Sequence, residues 1–273
     1  MKKLTNFTAV EDRLQYNILY SCTGEAKRGH EPFVAEHALT YITHGEIHLH
    51  TDKGVLVAPK GTIGLLRRHQ LVKAVKKPGV DGPFMSINIF LDQQALRRYS
   101  AAHDVHATGI YTGDPIVALP VDPFMKGYFD SLMPYFEHPE QLTETLASLK
   151  TTEAIALLLR NPSLKNLLFD FSEPFKIDLE AYMNRHFTYN VPLEQFARLT
   201  GRSLSTFKRD FAKTFRTPPE RWLQKRRLEQ AHYLITQRHQ RPSEVYLEVG
   251  FENFSHFSTA FKKEFGQNAS EVR

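Results

Sequence analysis

Phe207, Phe211 and Phe215 recur fifty positions later as Phe257, Phe261 and Phe265. A spacing of four puts each triplet on one stripe of an α-helix, so the pattern predicts two helices that each turn a phenylalanine ridge toward a small core. One such stripe is ordinarily only core; here its surroundings repeat as well. Ahead of the first ridge, Leu193-Glu-Gln-Phe-Ala197 predicts a short amphipathic helix, Gly201 a tight turn and Ser203 an N-cap. Ahead of the second, Ser243-Glu-Val-Tyr-Leu-Glu-Val249 does the same, with Gly250 in the turn and Asn253 as cap. Each unit reads helix, glycine turn, helix, the arrangement that sets a second helix into the major groove of DNA, about 12 Å wide.

With the ridges facing inward, the 3.6-residue period gives the outward faces. They are Ser205, Lys208, Arg209 and then Lys213 in the first unit, and Ser255, His256, Thr259 and then Lys262 and Lys263 in the second. Short hydrogen-bonding side chains near the amino end followed by cations suit base-edge readout and phosphate contact. The bland alternative is a solvated face whose lysines complement the helix dipole. Between the units, Pro219 to Ile235 begins with proline at a helix amino end and keeps its apolar period through Trp222, Leu223, Leu228, Ala231, Leu234 and Ile235. A continuous helix of about 18 residues spans roughly 27 Å, which approaches the ~34 Å between successive exposures of the major groove on one DNA face. Arg221, Lys225, Arg226 and Arg227 on this strut are expected near the DNA backbone, with an internal ion pair as the alternative for Arg227.

Charge is distributed to match. Residues 174–273 hold 17 Lys/Arg against 11 Asp/Glu, whereas residues 1–173 hold 18 against 19. A positive field confined to the last hundred residues attracts polyanions, nucleic acid first, with an acidic protein or a membrane surface behind it. The length of 273 residues predicts one large domain or two ordinary ones. No run of 18 apolar residues and no apolar stretch behind the amino-terminal lysines is present, so a cytoplasmic protein without membrane association is expected. Cys22 is the only cysteine, which rules out an internal disulfide and a Cys-rich zinc site.

The first 110 residues read as strands: Ala38–Ile42, Glu46–His50, Gly54–Ala58, Gly61–Leu66, Leu71–Val75 and Phe84–Phe90, mostly separated by Gly or Pro. His48 and His50 share one strand face and could ligate a metal, with Asp52 as the nearby carboxylate and His37 or His69 approaching in space. A metal-dependent enzyme built on such a barrel is therefore the competing function, against partly exposed strand histidines. No phosphate-binding glycine loop, nucleophile elbow or paired-carboxylate motif accompanies it, so neither catalytic residues nor a metal or other cofactor are expected. From Asp122 to about Asp170 the period becomes helical, through Leu142, Leu146, Leu149 and then Ala154, Ile155, Leu157, Leu158 and Leu159. These helices cover the β domain, pair with a second copy of the chain, or do both. Pro174 in Phe169–Lys176 marks a linker.

Ser203-Leu-Ser-Thr-Phe-Lys-Arg-Asp-Phe211, Arg227-Leu-Glu-Gln-Ala231 and Gly250-Phe-Glu-Asn-Phe-Ser-His-Phe-Ser-Thr-Ala-Phe-Lys-Lys263 resemble the AraC/XylS family of bacterial transcription regulators, over Leu179 to Arg273. Tyr41, Gly45-Glu46 and Lys60-Gly61 are similar, more weakly, to the cupin-type module that usually precedes its DNA-binding half. The resemblance implies an α+β chain: a cupin-like antiparallel β-barrel over 1–115 for an effector or partner, a helical dimerisation segment and linker over 116–172, and an all-α double helix-turn-helix over 173–273. It implies a sequence-specific regulator, an activator, that binds promoter DNA, RNA polymerase and a second copy of itself and answers to a small-molecule or protein effector. Base-facing places fall on Ser205, Lys208, Arg209, Ser255, His256 and Thr259, and backbone contacts on Arg202, Lys213, Arg216, Lys262 and Lys263. Four positions depart from the family pattern: Arg216 stands for a usual glycine, Tyr246 for a small alanine, and Ala269 and Val272 for proline and tyrosine.

Overall fold

The computed structural model describes residues 12–30, 35–51, 54–172 and 176–272. Two compact units divide the chain between residues 172 and 173, with the stretch 29–33 assigned to the second. Asp52 and Pro174, on which a metal ligand and the linker were expected, lie outside the described residues.

The first unit carries the strands β1 (Arg13–Gln15), β2 (Ile18–Thr23), β3 (Lys27–His30), β4 (His37–His44), β5 (Glu46–Thr51), β6 (Gly54–Pro59), β7 (Ile63–Leu66), β8 (Lys73–Lys77), β9 (Phe84–Leu91) and β10 (Ile116–Leu119). They form a six-stranded antiparallel sheet, β1-β2-β9-β4-β7-β10, and a four-stranded one, β3-β8-β5-β6. The expected closed barrel is thus two sheets with open edges. Helices, instead of closing strands, cover the inner face of the larger sheet: Ile18, Leu39, Leu65, Ile87 and Ile89 share one buried core with Phe129, Ile155, Leu158 and Leu168. Those helices are α1 (Gln93–His103), α2 (Pro123–Asp130), α3 (Met133–Glu137), α4 (Glu144–Leu158) and α5 (Lys165–Leu168).

The chain passes from the larger sheet to the smaller at Gly45, between β4 and β5. Its φ is +71°, and a side chain there would run into the Lys77 carbonyl, so only glycine makes this corner. In the stripe of α4 that meets the core, Ala147 and Thr151 join the expected Ala154, Ile155 and Leu158, whereas Leu149, expected there, is 59% exposed. A buried threonine hides this phase from hydropathy. Thr151 donates to the Ala147 carbonyl at 2.8 Å and accepts from the Asn17 amide at 2.5 Å, so its hydroxyl is satisfied inside. Helix α1 has no counterpart in the strand reading, because only Leu96 and Ser100 of its eleven residues are buried; its Asp92 cap, accepting from the Ala95 N–H at 2.7 Å, starts it.

Beyond residue 173 the elements of the second unit are helices: α6 (Leu179–His186), α7 (Leu193–Leu199), α8 (Leu204–Phe215), α9 (Pro219–Arg238), α10 (Pro242–Glu248) and α11 (Phe254–Phe265). Phe207, Phe211, Phe257 and Phe261 are fully buried. In the first half Phe211 stacks toward Phe215 and Trp222, with ring centroids 4.3 and 5.5 Å apart. In the second, Phe261 lies 4.6 Å from Phe265, and His232 of α9 lies 4.7 Å from Phe265. Trp222 and His232 make α9 the shared wall of both small cores.

Candidate nucleic-acid interface

Both reading helices begin where the side-chain chemistry requires. Ser203 accepts from the Thr206 N–H at 3.3 Å to start α8, and Asn253 accepts from the Ser255 and His256 N–H groups at 2.8 and 3.2 Å to start α11. The ridges turn inward, which leaves Ser205, Lys208, Arg209, Ser255, His256 and Thr259 exposed on the opposite faces. Lys213, Arg216, Lys262 and Lys263 are exposed as well. Arg209 is 76% exposed, with Asp210 at 3.8 Å. Lys208 sits 3.4 Å from Glu220 at the amino end of α9, a solvated pair that a polyanion can displace.

Arg202 does not join this surface. Its side chain is 7% exposed and bonds Asp210 at 3.1 Å, the Thr200 carbonyl at 2.6 Å and the Ile177 carbonyl at 3.0 Å. The reason lies in the turn. The Arg202 N–H donates to the Ala197 carbonyl at 2.9 Å, and in the second unit the Phe251 N–H donates to the Tyr246 carbonyl at 2.8 Å. Arg202 and the buried Phe251 therefore occupy the same place, forty-nine positions apart, while the ridges are fifty apart. The second turn, between α10 and α11, is one residue longer than the first. Where the second unit plugs the turn with a ring, the first uses a guanidinium neutralised by a carboxylate. The Arg202 hydrogen bond, followed by that of Lys176 at 3.1 Å, holds the Asp210 carboxyl below its usual range.

Arg227 on α9 is also internal, though not through a carboxylate pair. It donates to the carbonyls of Phe187 at 2.8 Å, Tyr189 at 2.7 Å and Gly250 at 3.0 Å. Burial pulls its guanidinium down to about 10, which leaves it charged at neutral pH. Close by, the Asn190 amide donates to Glu252 at 2.6 Å. These bonds join the loop after α6, the connecting helix and the turn of the second unit, so the two reading units are held by polar contacts as well as by α9. Arg226 packs on Phe187 and pairs with Glu229 at 2.9 Å, while Arg221 and Lys225 are exposed on the rod.

Of the departures from the family pattern, Arg216 ends α8 in the left-handed conformation, φ +54°, with its N–H on the Ala212 carbonyl at 3.0 Å. The Tyr246 ring is accommodated at the start of α11, 5.5 Å from Phe254. Ala269 and Val272 close the second core.

The strand histidines do not assemble. His48 bonds Glu46 at 2.7 Å on the smaller sheet, whereas His37 belongs to the larger one, where its Nδ1 accepts from the Arg68 N–H at 3.2 Å. Among the described residues no group of three His, Cys, Asp or Glu side chains could hold a metal ion.

Residues 196–273 match a family model described as a helix-turn-helix domain, and residues 37–169 one described as the ExsA N-terminal regulatory domain. The HTH-type transcriptional regulator ExsA of Pseudomonas aeruginosa is 28% identical over 163 residues, 58% of this chain and 57% of that protein. The virulence regulon transcriptional activator VirF of Yersinia enterocolitica is 30% identical over 95 residues, 35% of either chain. The HTH-type transcriptional activator RhaS of an Enterobacter species is 30% identical over 145 residues, 52% of either chain. The matches thus span between about a third and little more than half the length of these relatives. Among solved structures, apo ToxT from Vibrio cholerae covers 94% of this chain and 97% of its own, at 10% identity and a TM-score of 0.47. The two matched models leave only the amino-terminal stretch and the segment around the division between the units uncovered, and both halves of the chain are similar to helix-turn-helix transcription regulators.

Proposed function

We propose that this chain is a sequence-specific DNA-binding transcription activator whose two helix-turn-helix units read adjacent major grooves. The observation that carries it is the pair of capped helices, α8 and α11, with exposed polar and cationic faces on one connecting helix. Ser205, Lys208, Arg209, Ser255, His256 and Thr259 face the bases; Lys213, Arg216, Lys262 and Lys263 contact phosphates. Arg202 is left out of that set because its guanidinium is spent inside the unit. At 20 residues, α9 is about 30 Å long, close to one turn of DNA. Relatives named as transcriptional activators support the direction of control. The match to a regulatory domain supports a control role for the first unit, exerted by a small-molecule or protein effector. RNA polymerase and a second copy of the chain complete the partners, and the site of action is the cytoplasm; among the described residues no helix is long and apolar enough to cross a membrane.

Fluorescence anisotropy on promoter DNA tests this reading. Affinity is expected to fall steeply with salt, as release of counterions from phosphates requires. Reversing charge in Lys208→Glu with Arg209→Glu is expected to weaken binding several-fold to hundreds-fold, since a good base contact is worth roughly 1–3 kcal/mol. A flat salt dependence removes the function, and unchanged affinity in the double variant removes the site.

A further inference from the structure

The amino end of α11 carries a bare aromatic ring. Among the described residues Phe254 is the one exposed phenylalanine of the second unit, at 43%, while Phe207, Phe211, Phe257 and Phe261 are fully buried. A lone exposed apolar side chain ordinarily needs no explanation. This one is braced. The Tyr246 ring of α10 meets it edge-on, with centroids 5.5 Å apart and planes at 70°, and the buried Phe257 ring lies 6.1 Å away. Phe251 packs on Phe257 in turn, at 5.3 Å, so the exposed ring is tied to the core of its unit. Phe254 directly follows the Asn253 cap and precedes Ser255 and His256 on the first turn. The amino-terminal residues of a reading helix are the ones that meet base edges. In α8 the residue after the Ser203 cap is Leu204, which is half-buried. The two helices also differ in charge: α8 presents Lys208 and Arg209, whereas α11 has no arginine, and its exposed hydrogen-bonding groups ahead of Lys262 are Ser255, His256 and Thr259.

Resting on the DNA-binding reading above, we propose that Phe254, propped by Tyr246, reads the 5-methyl group of a thymine in the major groove of the half-site that α11 meets. Of the four bases only thymine presents a methyl group there, and phenylalanine is one of the side chains that meets it by apolar contact. Arginine on guanine is the commonest specific contact in that groove, and α11 has none to offer. The ring therefore supplies discrimination of another kind: it rewards a methyl group that the hydroxyls of Ser255 and Thr259 do not need. Tyr246 is a positioning residue. Its edge holds the Phe254 ring in place before DNA arrives, so that less side-chain freedom is lost on binding. Because a phenyl ring neutralises no phosphate, its contribution is independent of counterion release and separates from that of the lysines by its salt dependence.

Fluorescence anisotropy tests this on the duplex that the full wild-type chain enriches from a random-sequence pool. Each thymine is replaced in turn by deoxyuridine, which removes the methyl group and leaves every hydrogen-bonding edge in place. At one thymine, or two adjacent ones, the wild-type chain is expected to lose affinity about fourfold, the effect of burying one methyl group. Phe254→Ala is expected to bind the thymine duplex about fourfold more weakly with an unchanged salt slope, and to bind the thymine and uracil duplexes equally. Tyr246→Leu, which keeps apolar bulk without the ring edge, is expected to reduce the ratio to about twofold or less, again with the salt slope unchanged. An unchanged ratio in Tyr246→Leu overturns the positioning role. A wild-type chain that ignores uracil at every thymine, or a Phe254→Ala chain that keeps the wild-type ratio, overturns the proposal. The uracil series on the wild-type chain decides the matter even where a variant fails to fold. A chain with no salt-dependent binding to any duplex removes the DNA-binding reading, whereas one that binds DNA and ignores the methyl groups removes the thymine contact alone.

Discussion

His37 is 1% exposed, and burial, reinforced by Arg68, Arg67 and His69 and opposed by Asp170, pushes its imidazole down to about 3. A lowered folded-state value means that the unfolded chain binds the proton more tightly. The contribution to stability is therefore complete above pH about 6.5 and drains as the pH falls from there toward 3, by up to ~1.4 kcal/mol per unit. Urea denaturation at pH 7 and pH 5 is expected to show a difference about 2 kcal/mol larger for the wild-type chain than for His37→Asn, whose amide oxygen can still accept from the Arg68 N–H. Equal differences would place the acid sensitivity elsewhere. Arg216 offers a second single-residue test. It holds φ +54° at the end of α8, a conformation that glycine adopts at no steric cost. Arg216→Gly is expected to raise stability by up to about 1 kcal/mol and, if the proposed phosphate contact is made, to lower the salt slope of DNA binding by about one.

At the scale of elements, the polar joint around Arg227 decides how the second reading unit is held. Removing the guanidinium in Arg227→Met strands three buried carbonyls, at about 1–3 kcal/mol each when unsatisfied. A loss of at least 3 kcal/mol is expected in thermal or urea unfolding, with α6 and α10 losing amide-exchange protection together. Gly250 belongs to the same joint: at φ +98° an added Cβ would lie 2.6 Å from the Thr188 carbonyl and 3.0 Å from Arg227 Nε. Gly250→Ala is expected to destabilise by more than about 2 kcal/mol and to weaken DNA binding, whereas Gly54→Ala, which meets nothing within 4 Å, leaves binding unchanged. Equal behaviour of the two glycine variants would show that close approach is not what matters at Gly250.

At the scale of the whole molecule, a single rod between two reading units gives the DNA site a fixed span. Inserting five base pairs between the two half-sites rotates one to the opposite face of the duplex, and binding is expected to fall to the level of one unit, by roughly a hundredfold. Ten inserted base pairs restore the face but add about 34 Å, more than a helix of about 30 Å can absorb, so they are not expected to rescue it. Recovery at ten would mean that the two units come from different copies of the chain.

The double helix-turn-helix was legible because it depends on local rules: four-residue aromatic spacing, glycine turns, capping side chains and a proline start. Most strands of the first unit were legible for the same reason, through alternation and punctuation. Arg202 and Arg227 were not, because a basic residue at a helix turn or on a rod has the same sequence signature whether it meets a phosphate or a carbonyl, and only the fold supplies Asp210 or the Phe187, Tyr189 and Gly250 carbonyls. The amino-terminal part of the inward stripe of α4 escaped because Thr151 is polar by type and buried by its hydrogen bonds. Sheet closure is a long-range property: nothing within a strand says whether a neighbour or a helix will cover it. The amino-acid order by itself therefore determined most of the helices and strands and most of their apolar faces, since those follow from contacts a few residues apart. The tertiary structure alone decided which cations are spent inside the protein and which sheet edges stay open, since both depend on groups brought together from distant parts of the chain.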